Sequence, residues 1–187
     1  MPDFFFVDRY GTCAAGTELP LQTPHYNFGH ATADKLETAT EVESTLRELF
    51  PDGLSLHGQR YLLERYPYGQ NVVAVSPVIE LVAELIRRLA YPQLPSRFQA
   101  LFACETLDSA RLFRSRGQPF NRIFRVRGNS HFRADMNLLS LGPTAASSLN
   151  LVHKYWKGAA SSEPFWEIIL PPPVQVVEQV DPPASGV

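Results

Sequence analysis

Cysteine is nearly missing from this chain of 187 residues: Cys13 and Cys104 are the only two. Two thiols are too few for a disulfide framework, so nothing in the sequence asks for an oxidising compartment. No apolar run approaches the ~20 residues of a membrane span. The opening residues, MPDFFFVDRYGT, mix acidic and basic side chains. They lack the basic start, long apolar run and small-residue cleavage site of a signal peptide. The expectation is a bacterial-type cytoplasmic protein with no membrane partner, or one delivered to a target cell by a route that reads no N-terminal signal. An excess of one charge sign is missing too. A formal charge of −2 gives a whole-molecule field that favours neither nucleic acid nor membrane.

Several chemistries lack their motifs. There is no Walker loop and no G-x-G-x-x-G. The five histidines and two cysteines form neither C-x-x-C nor H-x-x-x-H, so no metal is expected. GLSLHG at 53–58 sets Ser55 between glycines, but His57 stands where a nucleophile elbow needs its second glycine. A serine hydrolase is not supported.

What is present is an ordinary globular composition, 44% apolar and 19% charged. The length suits one domain, residues 1–180, with DPPASGV at 181–187 as a disordered tail. Sixteen prolines imply many loop boundaries and few long helices.

The pattern along the chain is α+β, with helices mainly in the N-terminal half. Residues 3–8 alternate like a strand, and 21–38 read as a polar loop. TEVESTLRELF (40–50) has Val42, Leu46 and Phe50 at helical spacing. A second short helix is expected over 55–66. SPVIELVAELIRRLAYP (76–92) is the clearest helix, with Ser76 as N-cap, Pro77 next, a stripe of Ile79, Val82 and Ile86, and Pro92 as the stop. SRFQALFAC (96–104) reads as a strand with Phe98, Ala100 and Phe102 on one face. TLDSARLFRSR (106–116) reads as a helix capped by Thr106. Strands follow at 121–128 and 131–139. A helix over 142–156 carries a stripe of Ala145, Leu149, Val152 and Trp156.

Seven arginines, Arg111, Arg114, Arg116, Arg122, Arg125, Arg127 and Arg133, occur with no acidic residue between them. Such a patch suits a pyrophosphate or a nucleic-acid backbone. It equally suits a solvated sheet face balanced by the acidic first half.

PFWEIILPPPVQVVEQV (164–180) reads as two strands joined by three prolines. Phe165, Glu167 and Ile169 share one face of the first strand, and Trp166, Ile168 and Leu170 the other. Glu167 is the one polar residue between two apolar faces. A buried carboxylate is costly without partners. Either it pairs with an arginine or lies on an exposed edge, or it does chemistry.

E-I-I-L-P at 167–171 resembles the E-x-L-L-P strand that carries the catalytic glutamate of mono-ADP-ribosyltransferases. In that family a substrate-recognition loop precedes the strand and another strand follows. Here these correspond to KGAASSEP (157–164) and VQVVEQV (174–180). Phe102 and Phe113 have the separation of the two aromatics that sandwich nicotinamide in the diphtheria-toxin-like branch. Arg9, in FFFVDRYGT, is similar in place to the first-strand cation that grips NAD, and Tyr10 and Gly11 flank it. Phe6 stands where that branch has a histidine, and Phe165 where arginine-specific members have a second Glu or Gln. SRFQALFA, RADMNLL and YWKG also resemble an uncharacterised bacterial family of ADP-ribosyltransferase-like proteins.

The resemblance implies a split β-sandwich of the ADP-ribosyltransferase type. It implies an enzyme that uses NAD as substrate without a metal and transfers ADP-ribose to a protein or nucleic-acid acceptor, as a toxin, an effector or a housekeeping enzyme. Glu167 would be catalytic, with Arg9, Tyr10, Gly11, Phe102 and Phe113 binding NAD. An NAD glycohydrolase, an inactive binding module of the same fold and a nucleic-acid-binding protein stay open.

Overall fold

The computed structural model describes residues 1–25, 38–63, 75–117 and 121–181. In chain order these form strands β1 (Asp3–Asp8) and β2 (Glu18–Leu19), then helices α1 (Ala39–Leu49), α2 (Leu56–Leu63) and α3 (Val75–Ala90). A 3₁₀ turn (Arg97–Gln99), β3 (Leu101–Ala103), α4 (Leu107–Arg116), β4 (Arg122–Gly128) and β5 (Phe132–Asp135) follow. A second 3₁₀ turn (Met136–Leu138), α5 (Ala145–Trp156), β6 (Trp166–Leu170) and β7 (Val174–Asp181) complete the order. The expected α+β class is what the chain adopts.

The strands make two antiparallel sheets, ordered β1-β4-β7-β2 and β3-β6-β5. Alternation along β6 explains how they stack. Ile168 and Leu170 point into a core with Phe4, Phe6, Phe124, Val126, Val174 and Val176 of the larger sheet. Ile169 points the other way, among Ile79 and Ala83 of α3 and Val152, Tyr155 and Trp156 of α5. Burial of both faces of β6 is the main reason for its apolar run. Trp156 Nε1 donates to the Ala83 carbonyl at 2.8 Å, which ties α5 to α3. The sheets also meet at one point of backbone: the Phe5 amide donates to the Cys104 carbonyl at 2.9 Å, and the Cys104 amide returns the bond at 2.8 Å.

Several expectations shift. Helix α3 begins at Val75, so Ser76 lies inside it rather than capping it. Its inward face is centred on Ile79, Glu80, Ala83 and Glu84, with Val82 and Ile86 only partly buried. Leu81, Leu85 and Leu89 face outward. Carboxylates occupy an inward face because arginines neutralise them there. Arg87 Nη2 and Arg88 Nε each reach Glu84 Oε1 at 2.8 Å.

The strand expected over 96–104 is confined to 101–103. Ser96 Oγ accepts from the Phe98 amide at 3.2 Å and closes a 3₁₀ turn, which turns Arg97 inward. Likewise β5 stops at Asp135, whose side chain caps the next turn by accepting from the Asn137 amide. On α5 the buried set is Ser148, Val152, Tyr155 and Trp156, while Ala145 and Leu149 are exposed. Asp181 belongs to β7 rather than to a tail and pairs with Arg111. Residues 26–37 of the expected loop, 64–66 of the second helix and 182–187 of the tail lie outside the described residues.

Candidate functional site

A cleft of about 230 Å³ opens between the end of β1, the start of α2, the first turns of α3, the 97–102 segment, α4 and β6. Arg9, Tyr10, Phe102, Phe113 and Glu167 all line it. The fold therefore brings five of the six residues implied by the resemblance to one place. Gly11 is the exception. Its φ of +69° turns the chain after β1, and its amide donates to Asp8 Oδ1 at 2.9 Å. The buried Asp8 carboxylate also accepts from the amides of Tyr10 (3.2 Å) and Cys13 (3.1 Å) and from Arg122 (3.0 Å). The role of Gly11 is thus to shape the turn that presents Arg9 and Tyr10.

β3 and α4 supply the two phenylalanines. Each ring has its own partners. The Arg97 guanidinium carbon lies 4.3 Å from the Phe102 ring centre, and the His57 ring 4.4 Å from it. Phe113 stacks on Phe165 at 6.2 Å and has the Arg9 guanidinium 5.6 Å from its centre. Phe6, where the resemblance asks for a histidine, is a buried core residue that also touches the cleft.

Glu167 is held from two sides. Ahead of it, the buried carboxylate of Asp135 accepts from the amides of Ser161 (2.7 Å) and Phe165 (2.9 Å). These bonds fix the 157–165 loop and the start of β6. They also keep the Asp135 carboxyl below its usual range despite burial, which pushes it up. Within β6, Glu167 pairs in register with Ala134 and projects to the helix side. There Oε1 accepts from Arg97 Nη1 and from the Tyr155 hydroxyl, both at 2.6 Å. Oε2 has no hydrogen bond among the described residues.

Arg97 is the hub. It is 3% exposed, and it gives Nε to Glu80 Oε2 at 2.7 Å and Nη2 to Glu80 Oε1 at 2.8 Å. Nη1 bonds Glu167 and also the Tyr155 oxygen. This bidentate fork matches a carboxylate as only arginine can. Burial opposes the charge on Arg97, but Glu167 and Glu80 more than offset it, so its pKa is raised. Burial also pushes the Glu80 carboxyl up, and Arg97 and His57 reverse this, leaving it well below its usual range. Burial drives the Tyr155 phenol well above its ordinary value, so it remains a donor. Arg97, Glu80 and Glu167 together carry one formal negative charge in a largely dry site.

Sequence reasoning found Glu167 but missed Arg97, Glu80, Tyr155 and His57. The available signal was Glu80 and Glu84, spaced one turn apart inside the best helical pattern. His57 reaches the cleft because Gly58 lets α2 approach the 97–99 turn: a Cβ there would sit 2.1 Å from the Phe98 carbonyl oxygen. Ser55 stabilises the same junction, donating through Oγ to that carbonyl and accepting from the Gly58 amide. The Cys104 thiol is pushed up to about 12 by burial, with Glu167 adding, which makes it a poor nucleophile.

The arginine-rich segment lies elsewhere and is largely paired. Arg122 meets Asp8, Arg125 meets Asp3 and Glu178, Arg127 meets Asp3, and Arg133 meets Glu105. Among the described residues no cluster of His, Cys, Asp and Glu could hold a metal ion, and no helix is long and apolar enough to cross a membrane.

A family model described as a protein of unknown function, DUF2441, matches residues 15–182. The match spans the cleft residues from α2, α3, α4 and β6, while Arg9, Tyr10 and Gly11 precede it. No curated protein matches the chain.

Proposed function

The chain belongs to the DUF2441 family, and for it we propose an NAD-dependent ADP-ribosyltransferase working from the cleft around Glu167. The observation that carries this reading is that Glu167, Phe102, Phe113, Arg9 and Tyr10, the residues that the resemblance implied, line one cleft. Two antiparallel sheets, with the carboxylate on the central strand of the smaller one, are compatible with the split β-sandwich that the reading requires.

The proposed step breaks the bond between C1′ of the ribose and the pyridinium nitrogen. Its electron pair returns to the ring, nicotinamide leaves neutral, and C1′ passes through an oxocarbenium-like state before an acceptor oxygen or nitrogen attacks. Oε2 of Glu167 stabilises the growing positive charge and orients the 2′-hydroxyl. The residual negative charge shared among Glu80, Arg97 and Glu167 serves the same end, because a preorganised field acts strongly where water is excluded. Phe102 and Phe113 hold the flat, cationic ring. Arg9 meets the pyrophosphate or the amide oxygen. The cleft is at the small end of ligand pockets, so it takes the nicotinamide–ribose half of the dinucleotide. The acceptor is a protein or nucleic acid; with water, the same chemistry is that of an NAD glycohydrolase.

One observation favours a second reading, an inactive binding module: Arg97 and Tyr155 both occupy Oε1, as a purely structural carboxylate would have it. The two separate on nicotinamide release by wild type and Glu167→Gln, compared at matched folded concentration. Glutamine keeps shape and loses charge. An enzyme loses turnover by orders of magnitude with NAD binding little changed. Equal rates, or no release by wild type, remove the catalytic role of Glu167.

A further inference from the structure

Two arginines line the cleft, Arg9 and Arg97, and they are held differently. Arg97 is occupied by the carboxylates of Glu80 and Glu167. The Arg9 guanidinium carries only donors, and it makes no hydrogen bond or ion pair among the described residues. None of its unbonded nitrogens is buried, so they stand open to whatever enters the cleft. What the guanidinium does touch is a ring. Its carbon lies 5.6 Å from the centre of Phe113, within cation–π reach.

Phe113 divides two hollows. Phe113 and Arg9 line the cleft, and Phe165 does not. Phe165 lines a neighbouring groove instead, with Leu112, Arg116 and Ser161. Phe165 therefore stacks on Phe113 from the groove side, with centres 6.2 Å apart and planes inclined by 28°. Arg9 lies over the face that looks into the cleft. The ring is anchored against Val7, Cys104, Ala110 and Ile123. The face of Phe113 on which a ligand in the cleft would stack is thus the face that Arg9 covers.

We propose that Arg9 is a specificity-determining residue that guards Phe113: its guanidinium covers the ring in the free protein and leaves it for a ligand that joins a planar cation to an anion. The proposal rests on the NAD reading and says which ligands the cleft admits. Uncovering the ring loses a cation–π contact. NAD offsets that loss at both ends. Its pyridinium replaces the guanidinium on the ring, and its pyrophosphate takes the freed guanidinium in a charge-assisted pair. Neutral nicotinamide offers neither exchange, so it competes with the guanidinium for the ring and gives it nowhere else to go. The same exchange separates substrate from product. Cleavage turns the pyridinium into a neutral ring, whose hold on Phe113 weakens as it forms. Arg9 thereby favours entry of NAD and departure of nicotinamide.

The test is NMR titration of the full chain, wild type and Arg9→Ala at matched folded concentration, with NAD, nicotinamide and inorganic pyrophosphate as probes. Arg9→Ala should bind NAD about tenfold more weakly and nicotinamide about two- to fivefold more tightly. A simple ligand contact weakens both, and a purely structural role moves both together, so the opposite signs belong to the guard alone. Nicotinamide binding that is unchanged or weaker in Arg9→Ala overturns the guard and leaves the NAD reading standing. The Arg9 Nε–H resonance, identified by its loss in Arg9→Ala, should lie upfield in free wild type under the ring current of Phe113, and NAD or pyrophosphate should move it downfield. If NAD does not bind wild type, the NAD reading falls and pyrophosphate decides alone: a downfield shift keeps Arg9 as a cover that an anion draws off Phe113, and an unmoved resonance removes it.

Discussion

Arg97 and the arginines of β4 are the same residue type in opposite circumstances. Arg122, Arg125 and Arg127 lie side by side on a half-exposed strand, and each has found an acid on β1 or β7. Water competes for those pairs, and salt screens them. Arg97 stands alone in S-R-F-Q-A-L-F, buried, with four hydrogen bonds to Glu80, Tyr155 and Glu167. The difference lies in what removal leaves behind. Losing Arg125 or Arg127 leaves acids that water can solvate, Asp3 and Glu178, and losing Arg122 leaves Asp8 held by the amides of its own turn. Losing Arg97 leaves two carboxylates facing each other in a dry interior. Charge that is dense along the chain belongs here to a balanced surface, and the isolated charge organises the site.

The sharpest break of this contrast is Arg97→Met, which keeps the stem and removes the fork. It should lower unfolding free energy by about 3–5 kcal/mol, as expected when one partner of a buried ion pair is deleted. Urea denaturation followed by circular dichroism measures it, and a loss below about 1 kcal/mol would mean that Glu80 and Glu167 find other partners.

Acid probes the same network more gently. His57 has a folded pKa below its ordinary value near 6.5, so below that pH the unfolded chain binds the proton that the native ring refuses. Its contribution is complete above about pH 6.5 and is lost as pH falls, at no more than about 1.4 kcal/mol per pH unit. The groups facing the ring are Glu80 from α3, Arg97 from the 3₁₀ turn, Arg9 after β1 and Tyr61 on α2. Glu80 is also depressed, but its window opens only below the ordinary carboxyl range near 4.5. Between these limits a stability–pH profile should slope for wild type and flatten for His57→Phe. Parallel profiles would contradict the assignment.

Smallest of all, Arg125→Ala should leave the urea midpoint almost unchanged and should not alter any salt-dependent retention on nucleic acid. A marked loss of such retention would revive the reading of β4 as a phosphate-binding face.

The parts legible in the sequence share one physical property: they are set by neighbours. E-I-I-L-P is a nearly unbroken apolar run because β6 is buried on both faces, and Phe102 and Phe113 reach one cleft because a short strand, a cap at Thr106 and about two helical turns fix the path between them. The illegible parts are set by distant partners. Arg97 meets Glu80 across 17 residues of chain, Tyr155 across 58 and Glu167 across 70, and no period of 2 or 3.6 encodes such meetings. The same cause misplaced the α3 face. Glu80 and Glu84 look like solvent positions until Arg97, Arg87 and Arg88 arrive, and Val82 and Ile86 look like the centre of the core stripe until they do. Leu149 and the 3₁₀ turn at 97–99 misled for a related reason, since a side-chain hydroxyl, Ser148 or Ser96, took the inward place.

The two backbone bonds between Phe5 and Cys104 make a ruler of the cleft. They rivet β1, which ends just before Arg9, to the residue that follows β3, which holds Phe102. Arg9 and Phe102 therefore hang from one frame whose length is set by main chain. A molecule that touches both must bring its anionic and planar ends at one fixed separation. On the proposed function, this frame sorts dinucleotides by span before any side chain reads their chemistry.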